Sequence, residues 1–142
     1  MHTPAARTLG ARTSVTYPGS IEHVRAVRAD LRALLRDCPR ADDMILCASE
    51  LAANAALHSH SRLPGGTFTV RATISPDRHV QIEVQDNGGP RNQGMIDPTR
   101  HHSLDIVRAV ADEWGIDGDH TSRTIWARFD WPDQSSPNRC LR

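Results

Sequence analysis

The fold is decided by Phe68-Thr69-Val70-Arg71-Ala72-Thr73-Ile74-Ser75-Pro76-Asp77-Arg78-His79-Val80-Gln81-Ile82-Glu83-Val84-Gln85-Asp86. Phe68, Val70, Ala72 and Ile74 alternate with Thr69, Arg71 and Thr73, and Val80, Ile82 and Val84 alternate with Gln81, Glu83 and Gln85. A period of two means one buried and one wet face. Ser75-Pro76-Asp77-Arg78 between the runs supplies turn chemistry, so the segment reads as an antiparallel hairpin. Upstream the period is helical. Ile21, Val24, Val27, Leu31, Leu34 and Leu35 recur at three- and four-residue steps opposite Arg25, Arg28, Arg32 and Arg36, with Ser20 as the expected cap after Pro18-Gly19. Pro39 interrupts, and a second helical pattern runs from about Asp42 to His58 through Met44, Ile45, Ala48, Leu51, Ala52, Ala55 and Ala56, whose small residues allow close packing.

Ser14-Val15-Thr16-Tyr17 reads as a short strand ahead of these helices. Beyond the hairpin, Asp86 to His102 reads as a long loop of lid character. Ser103 is the expected cap of a third helix, with Leu104, Val107, Val110, Ala111 and Trp114 on its apolar side and Gly115 past its end. Thr124 to Phe129 is the last strand, reached through Ile116 and a polar turn from Asp117 to Ser122. The order strand, helix, helix, strand, strand, helix, strand predicts a two-layer α/β sandwich, with a mixed or antiparallel sheet and helices on one face.

Composition narrows the function classes. The 142 residues carry 17 basic and 17 acidic side chains, and every cation is an arginine. A zero net charge argues against a nucleic-acid binder acting through a general basic field. Without lysine there is no P-loop and no Schiff-base chemistry. Cys38, Cys47 and Cys140 fit neither a disulfide framework nor a paired zinc pattern, and no apolar run is long enough for a secretory or membrane segment. The expectation is a cytoplasmic protein with a working domain over residues 13–131, between a disordered arm (1–12) and a disordered tail (132–142).

Two polar concentrations stand out. Glu50, Asn54 and His58 are spaced by four, so they share one stripe of an otherwise small and apolar helix. The stripe reads either as a solvated face or as a base next to an amide that helps to hold Mg²⁺; His58 is either a site residue or a core histidine. Val84-Gln85-Asp86-Asn87-Gly88-Gly89 ends a strand with an acid followed by glycines. That is either a turn satisfying positive φ or a fixed carboxylate for the amine of a purine, beside which glycines let a ligand lie close. Arg123-Thr124 opens the last strand, where either side chain can reach a phosphate or simply a cross-strand neighbour.

Taken in order, these features resemble the anti-sigma-factor serine kinases of Gram-positive bacteria. Those kinases belong to the ATPase superfamily shared by gyrase, heat-shock chaperones, histidine kinases and mismatch-repair proteins. Ser49-Glu50-Leu51-Ala52-Ala53-Asn54-Ala55-Ala56-Leu57-His58 looks like the family's N box, and Val84-Gln85-Asp86-Asn87-Gly88 like its first glycine box. Leu104 to Gly115 resembles the helix after the second glycine box, and Thr124-Ile125-Trp126-Ala127 the closing strand. The resemblance implies a Bergerat-type ATP-binding sandwich using ATP and Mg²⁺. It implies Glu50 as general base, Asn54 as Mg²⁺ ligand, Asp86 as acceptor of the adenine amino group, and Gly88 as the residue that lets the base approach. Arg28, with Arg25 as its rival, matches the arginine that contacts an anti-anti-sigma (STAS-type) partner. The implied activity is transfer of the ATP γ-phosphate to a serine of that partner, or sequestration of a sigma factor, with a homodimer among the expected states and neither nucleic acid nor membrane as a direct partner.

The sequence also departs from the family pattern. Where the second glycine box reads Gly-x-Gly-Leu, this chain has His101-His102-Ser103-Leu104, and where a lysine commonly follows glycine at the closing strand it has Ser122-Arg123. Ser103 is then the cap, His101 and His102 bring partial positive charge to the phosphates, and Arg123 and Thr124 complete the phosphate side. The alternative is a family member of weak or no catalytic activity that works as a protein-binding anti-sigma module. A stand-alone sensor-kinase ATPase is disfavoured by the Ser-Glu-Leu form of the N box.

Overall fold

The computed structural model describes residues 11–75, 78–89 and 98–130, with residues 11 and 98–103 described by their backbone alone. Five strands form one antiparallel sheet in the order β1-β2-β3-β5-β4: β1 (Ala11–Pro18), β2 (Thr67–Ser75), β3 (His79–Asp86), β4 (Glu113–Gly118) and β5 (Arg123–Asp130). Three helices, α1 (Val24–Leu35), α2 (Ala41–His58) and α3 (Pro98–Val110), cover one face. The expected two-layer sandwich is therefore present, with the sheet wholly antiparallel.

The alternation that predicted the hairpin becomes strict burial of every second side chain along β2 and β3, and β5 repeats it. The buried set of Phe68, Val70, Ala72, Ile74, Val80, Ile82, Val84, Ile125, Ala127 and Phe129 faces the helices. Thr69, Arg71, Glu83, Gln85, Thr124 and Trp126 lie on the other face. α2 rests across β2, β3 and β5, and its buried Ala48, Ala52, Ala55 and Ala56 let the helix come close to the sheet. α1 packs on α2 through Val24, Val27, Leu31 and Leu35, while α3 packs through Val107, its fully buried residue among those described. Burying a side chain of this kind contributes about 1.5–3 kcal/mol.

Several boundaries differ from the sequence expectations. β1 extends to Ala11, where it pairs with Ile74, and is longer than the Ser14–Tyr17 segment. Ser20 precedes a single 3₁₀ turn (Ile21–His23), and its hydroxyl bonds His23 Nδ1 at 2.7 Å rather than capping α1. α3 begins at Pro98, a residue suited to the first helical position, so Ser103 lies inside the helix and is not its cap. At the other end α3 stops at Val110. The Ala111 amide still bonds Val107 O at 2.9 Å, but the Asp112 amide turns to Arg128 O, also at 2.9 Å.

Trp114 and Gly115 thus belong to β4 and not to the helix. Edge strand β4 has no alternating burial, so period two had nothing to reveal it. Trp114 meets the helical spacing after Val110 and Ala111 equally well. Cys38 is also disulfide-bonded, which corrects the reading that the three cysteines fit no disulfide framework. Cys47 is free and buried, and its thiol pKa is pushed up to about 12, by burial first and by Asp43 second.

One arginine ties the helices to the sheet at the end where β5 finishes. Arg40, just ahead of α2, donates to Asp112, to Val110 O at 2.5 Å and to Asp130 O at 3.5 Å, with its guanidinium 5.3 Å from the Phe129 ring centre. Asp112 in turn accepts the Asp130 amide at 2.7 Å. Burial works against the Asp112 anion, but the Asp130 amide and Arg40 outweigh it and keep the carboxyl below the ordinary aspartate range. Arg40→Ala removes the side-chain donor to a helix-terminal carbonyl and to the Asp112 carboxylate, which keeps the Asp130 amide. The expected loss is about 1–3 kcal/mol in urea-induced unfolding, with an unchanged dependence on denaturant.

Candidate nucleotide site

β3 and β5 run antiparallel with Asp86 directly opposite Arg123. Both lie on the helix-bearing face at the end of their strands, at 4% and 6% exposure. Asp86 Oδ1 accepts the Gly88 amide at 2.7 Å, which fixes the carboxylate, and Oδ2 is 3.7 Å from Arg123 Nη2. That separation makes an ion pair without a hydrogen bond. Among the described residues, Arg123 Nε and Nη2 have no hydrogen-bond partner, and neither has Asn54 Oδ1 on α2.

Glu50, Asn54 and His58 share one stripe of α2, as their spacing requires, with Glu50 and His58 partly exposed and Asn54 6% exposed. Ser49, just before Glu50, is held on both sides. It donates to Ile45 O at 2.6 Å and accepts from Arg28 Nε at 3.3 Å. Arg25 and Arg28 both lie on the exposed side of α1.

Gly88 has a duty in the backbone. Its φ is +76°, and a Cβ there would stand 2.2 Å from His120 O, so glycine is demanded by the backbone itself. Gly88 O accepts the His60 amide and the Gly89 amide donates to His120 O, each at 2.9 Å. The glycine pair therefore straps the end of α2 to the β4–β5 turn, and Asn87 and Ser61 add a bond of 2.9 Å. That turn is built on Asp119. Its Oδ1 accepts the Thr121 hydroxyl at 2.6 Å and the Thr121 and Ser122 amides, which lower its pKa to about 2, the Thr121 hydroxyl bond being the largest cause.

The structure brings Asp86, Arg123 and Gly88 together, with Thr124 facing the other way. Thr124 pairs with Gln85 on the far face, where Gln85 Nε2 donates to Ser122 Oγ at 2.7 Å. Arg123 stands beside the Asp86 carboxylate, across the β3–β5 ladder. His101, His102 and Ser103 sit on the first two turns of α3, so the His102 and Ser103 amides belong to the helical ladder and not to an open cradle. Their side chains lie outside the described residues. Sequence reading missed the Asp86–Arg123 apposition because only the β3–β5 register creates it. The signal available was an acid and an arginine, each at the end of a strand.

Chemically, a fixed carboxylate accepts an N–H, two unpartnered guanidinium N–H groups seek an acceptor, and a buried amide oxygen seeks a donor or a cation. Among the described residues no three His, Cys, Asp or Glu side chains cluster to hold a metal unaided. A Mg²⁺ held largely by phosphate oxygens needs few protein ligands, and the unpartnered Asn54 Oδ1 fits that role.

Residues 17–129 match the histidine kinase-like ATPase domain family. The chain belongs to that family. Among solved structures, the RsbU and RsbW domains of Rv1364c from Mycobacterium tuberculosis superpose with a TM-score of 0.63 at 21% identity, over 86% of this chain and 33% of that one. The histidine kinase domain of the blue-light activated histidine kinase EL346 from Erythrobacter litoralis gives 0.55 at 13% identity, over 84% of this chain and 64% of that one. This histidine kinase-like ATPase domain thus spans about a third and about two-thirds of the two chains that share its fold. No curated protein matches it. Among the described residues, no helix is long and apolar enough to cross a membrane.

Two outcomes follow for the ATPase domain. Gly88→Ala should destabilise it by on the order of 2 kcal/mol or more, read as a lower thermal midpoint, because strain and a backbone clash add. By carboxyl NMR, Asp119 should titrate near 2, and Thr121→Val should move it toward the ordinary value of about 3.9. Since the folded pKa is depressed, the turn's contribution is present above about pH 4. It is lost as the pH falls toward 2.

Proposed function

We propose that the protein is an ATP-binding cytoplasmic regulator that transfers the ATP γ-phosphate to a serine of an anti-anti-sigma partner, or holds a sigma factor, in the manner of the kinases its sequence resembles. The observation that carries this reading is that, among the described residues, buried polar atoms stand without partners: Asn54 Oδ1 on α2, and Arg123 Nε and Nη2 beside the fixed Asp86 carboxylate. Asp86 accepts the adenine amino group. Asn54 holds Mg²⁺, which when bound neutralises charge on the phosphates. Glu50, one turn before Asn54 on the same stripe and partly exposed, takes the proton from the attacking serine hydroxyl. His101, His102 and Ser103 on α3 supply contacts to the phosphates. Arg28 and Arg25, exposed on α1, present cations to the protein partner, and the Arg28 bond to Ser49 links that surface to the residue next to the base.

A second reading is favoured by one observation. The His101-His102-Ser103 segment is helical where the family pattern has glycines, which leaves few free amides for phosphate and suits a binding module without efficient catalysis. Phosphate transfer to a co-expressed anti-anti-sigma protein separates the two. In the kinase reading Glu50→Gln lowers transfer by about 10²–10⁴-fold while ATP binding is retained. Full transfer by Glu50→Gln contradicts the base assignment, and ATP binding without transfer by the unmodified chain supports the binding module.

A further inference from the structure

Arg123 makes a demand that the described residues leave unmet. Its side chain is 7% exposed, yet Nε and Nη2 lack any hydrogen-bond acceptor. These two nitrogens form one planar donor edge of the guanidinium, so the acceptor is missing on a single defined side. The neighbouring core-facing positions of the same two strands, Val84 and Ile125, are apolar. Gln85 and Thr124, adjacent in sequence and able to accept, stand on the opposite face of the sheet. The ion pair with Asp86 at 3.7 Å balances the charge of Arg123 without satisfying its donors.

We propose that Arg123 is a base-reading residue, whose Nε/Nη2 edge donates to a ring nitrogen of a purine while the amino group beside that nitrogen donates to Asp86. The proposal rests on the reading of this place as an ATP site and adds to it a second recognition group. A carboxylate alone reads an amino group and nothing else. A carboxylate and a guanidinium side by side read a donor next to an acceptor, the edge that adenine presents at its amino group and N1. Asp86 Oδ1 is committed to the Gly88 amide, so the carboxylate meets the base chiefly through its other oxygen. One oxygen suits the single amino donor of adenine better than the two parallel donors of guanine. Because Asp86 and Arg123 neutralise each other, the base enters a dipolar site of no net charge.

The test is calorimetric titration of the full chain, with Mg²⁺ present, using ATP, GTP and 1-deaza-ATP, in which the ring N1 is replaced by C–H. A hydrogen bond from a charged donor is expected to make ATP bind about 10- to 100-fold more tightly than 1-deaza-ATP. In Arg123→Met the affinity for ATP should fall by a similar factor and the two nucleotides should bind alike. Equal affinity of the unmodified chain for ATP and 1-deaza-ATP overturns the proposal without any variant being needed. Tighter binding of ATP by Arg123→Met, or a preference for GTP in the unmodified chain, also overturns it. Failure of every triphosphate to bind overturns the ATP-site reading together with it, whereas equal binding of ATP and 1-deaza-ATP leaves that reading standing.

Discussion

Antiparallel pairing of β3 with β5, running from His79↔Asp130 to Asp86↔Arg123, fixes where the candidate nucleotide groups stand. Because side chains alternate along a strand, a slip of one residue would send Asp86 and Arg123 to opposite faces and turn the buried row of β5 outward. Apolar burial makes that slip costly, since Ile125, Ala127 and Phe129 would all be exposed with it. The register that holds the core together therefore also brings one carboxylate and one guanidinium into a buried pair under α2. Stability and recognition share one constraint here.

The helix layer completes the arrangement through size. α2 meets the sheet with alanines, and that close seat buries Asn54 while Glu50 and His58, on the same stripe, stay partly exposed. Burial without a partner at Asn54 Oδ1 and at Arg123 is a standing cost to the fold. Costs of this kind concentrate where a protein keeps polar groups for something it binds. At the far end of β5, by contrast, Arg40 satisfies Asp112 and two carbonyls, and neither residue contributes an unpartnered buried atom among the described residues. The two ends of the sheet thus differ in kind: one is closed by its own residues, and the other carries unmet donors and an unmet acceptor.

Much of this is legible in the sequence. The hairpin, α1 and α2 announced themselves because their apolar residues repeat with clean periods, and the helix stripe of Glu50, Asn54 and His58 follows from spacing alone. β4 was not legible. As an edge strand with Trp114, Gly115 and Ile116 unevenly exposed, it has no alternation, and Gly115 owes its presence to the Trp126 ring, which lies 2.8 Å from where a Cβ would be. The charge of Arg123 is legible in the sequence, whereas its neighbour across the ladder is a fact of long-range pairing. Thr124 faces away from Arg123 for the plainest reason, that adjacent strand residues face opposite ways. Gly88 was expected to serve a ligand, and the structure gives it a further duty in docking the β4–β5 turn.

The family relationship supplies the ATPase fold, and the unmet polar atoms give this chain its own version of the site. The most direct test is an amide and side-chain NMR titration with Mg-ATP. Binding at the place described here should shift the Asn54 side-chain amide, the Gly88 amide and the Arg123 Nε–H together and saturably, and should leave the Arg40 Nε–H unmoved. Absence of shifts at Asn54, Gly88 and Arg123 at millimolar nucleotide, or shifts confined to another part of the domain, would contradict the account.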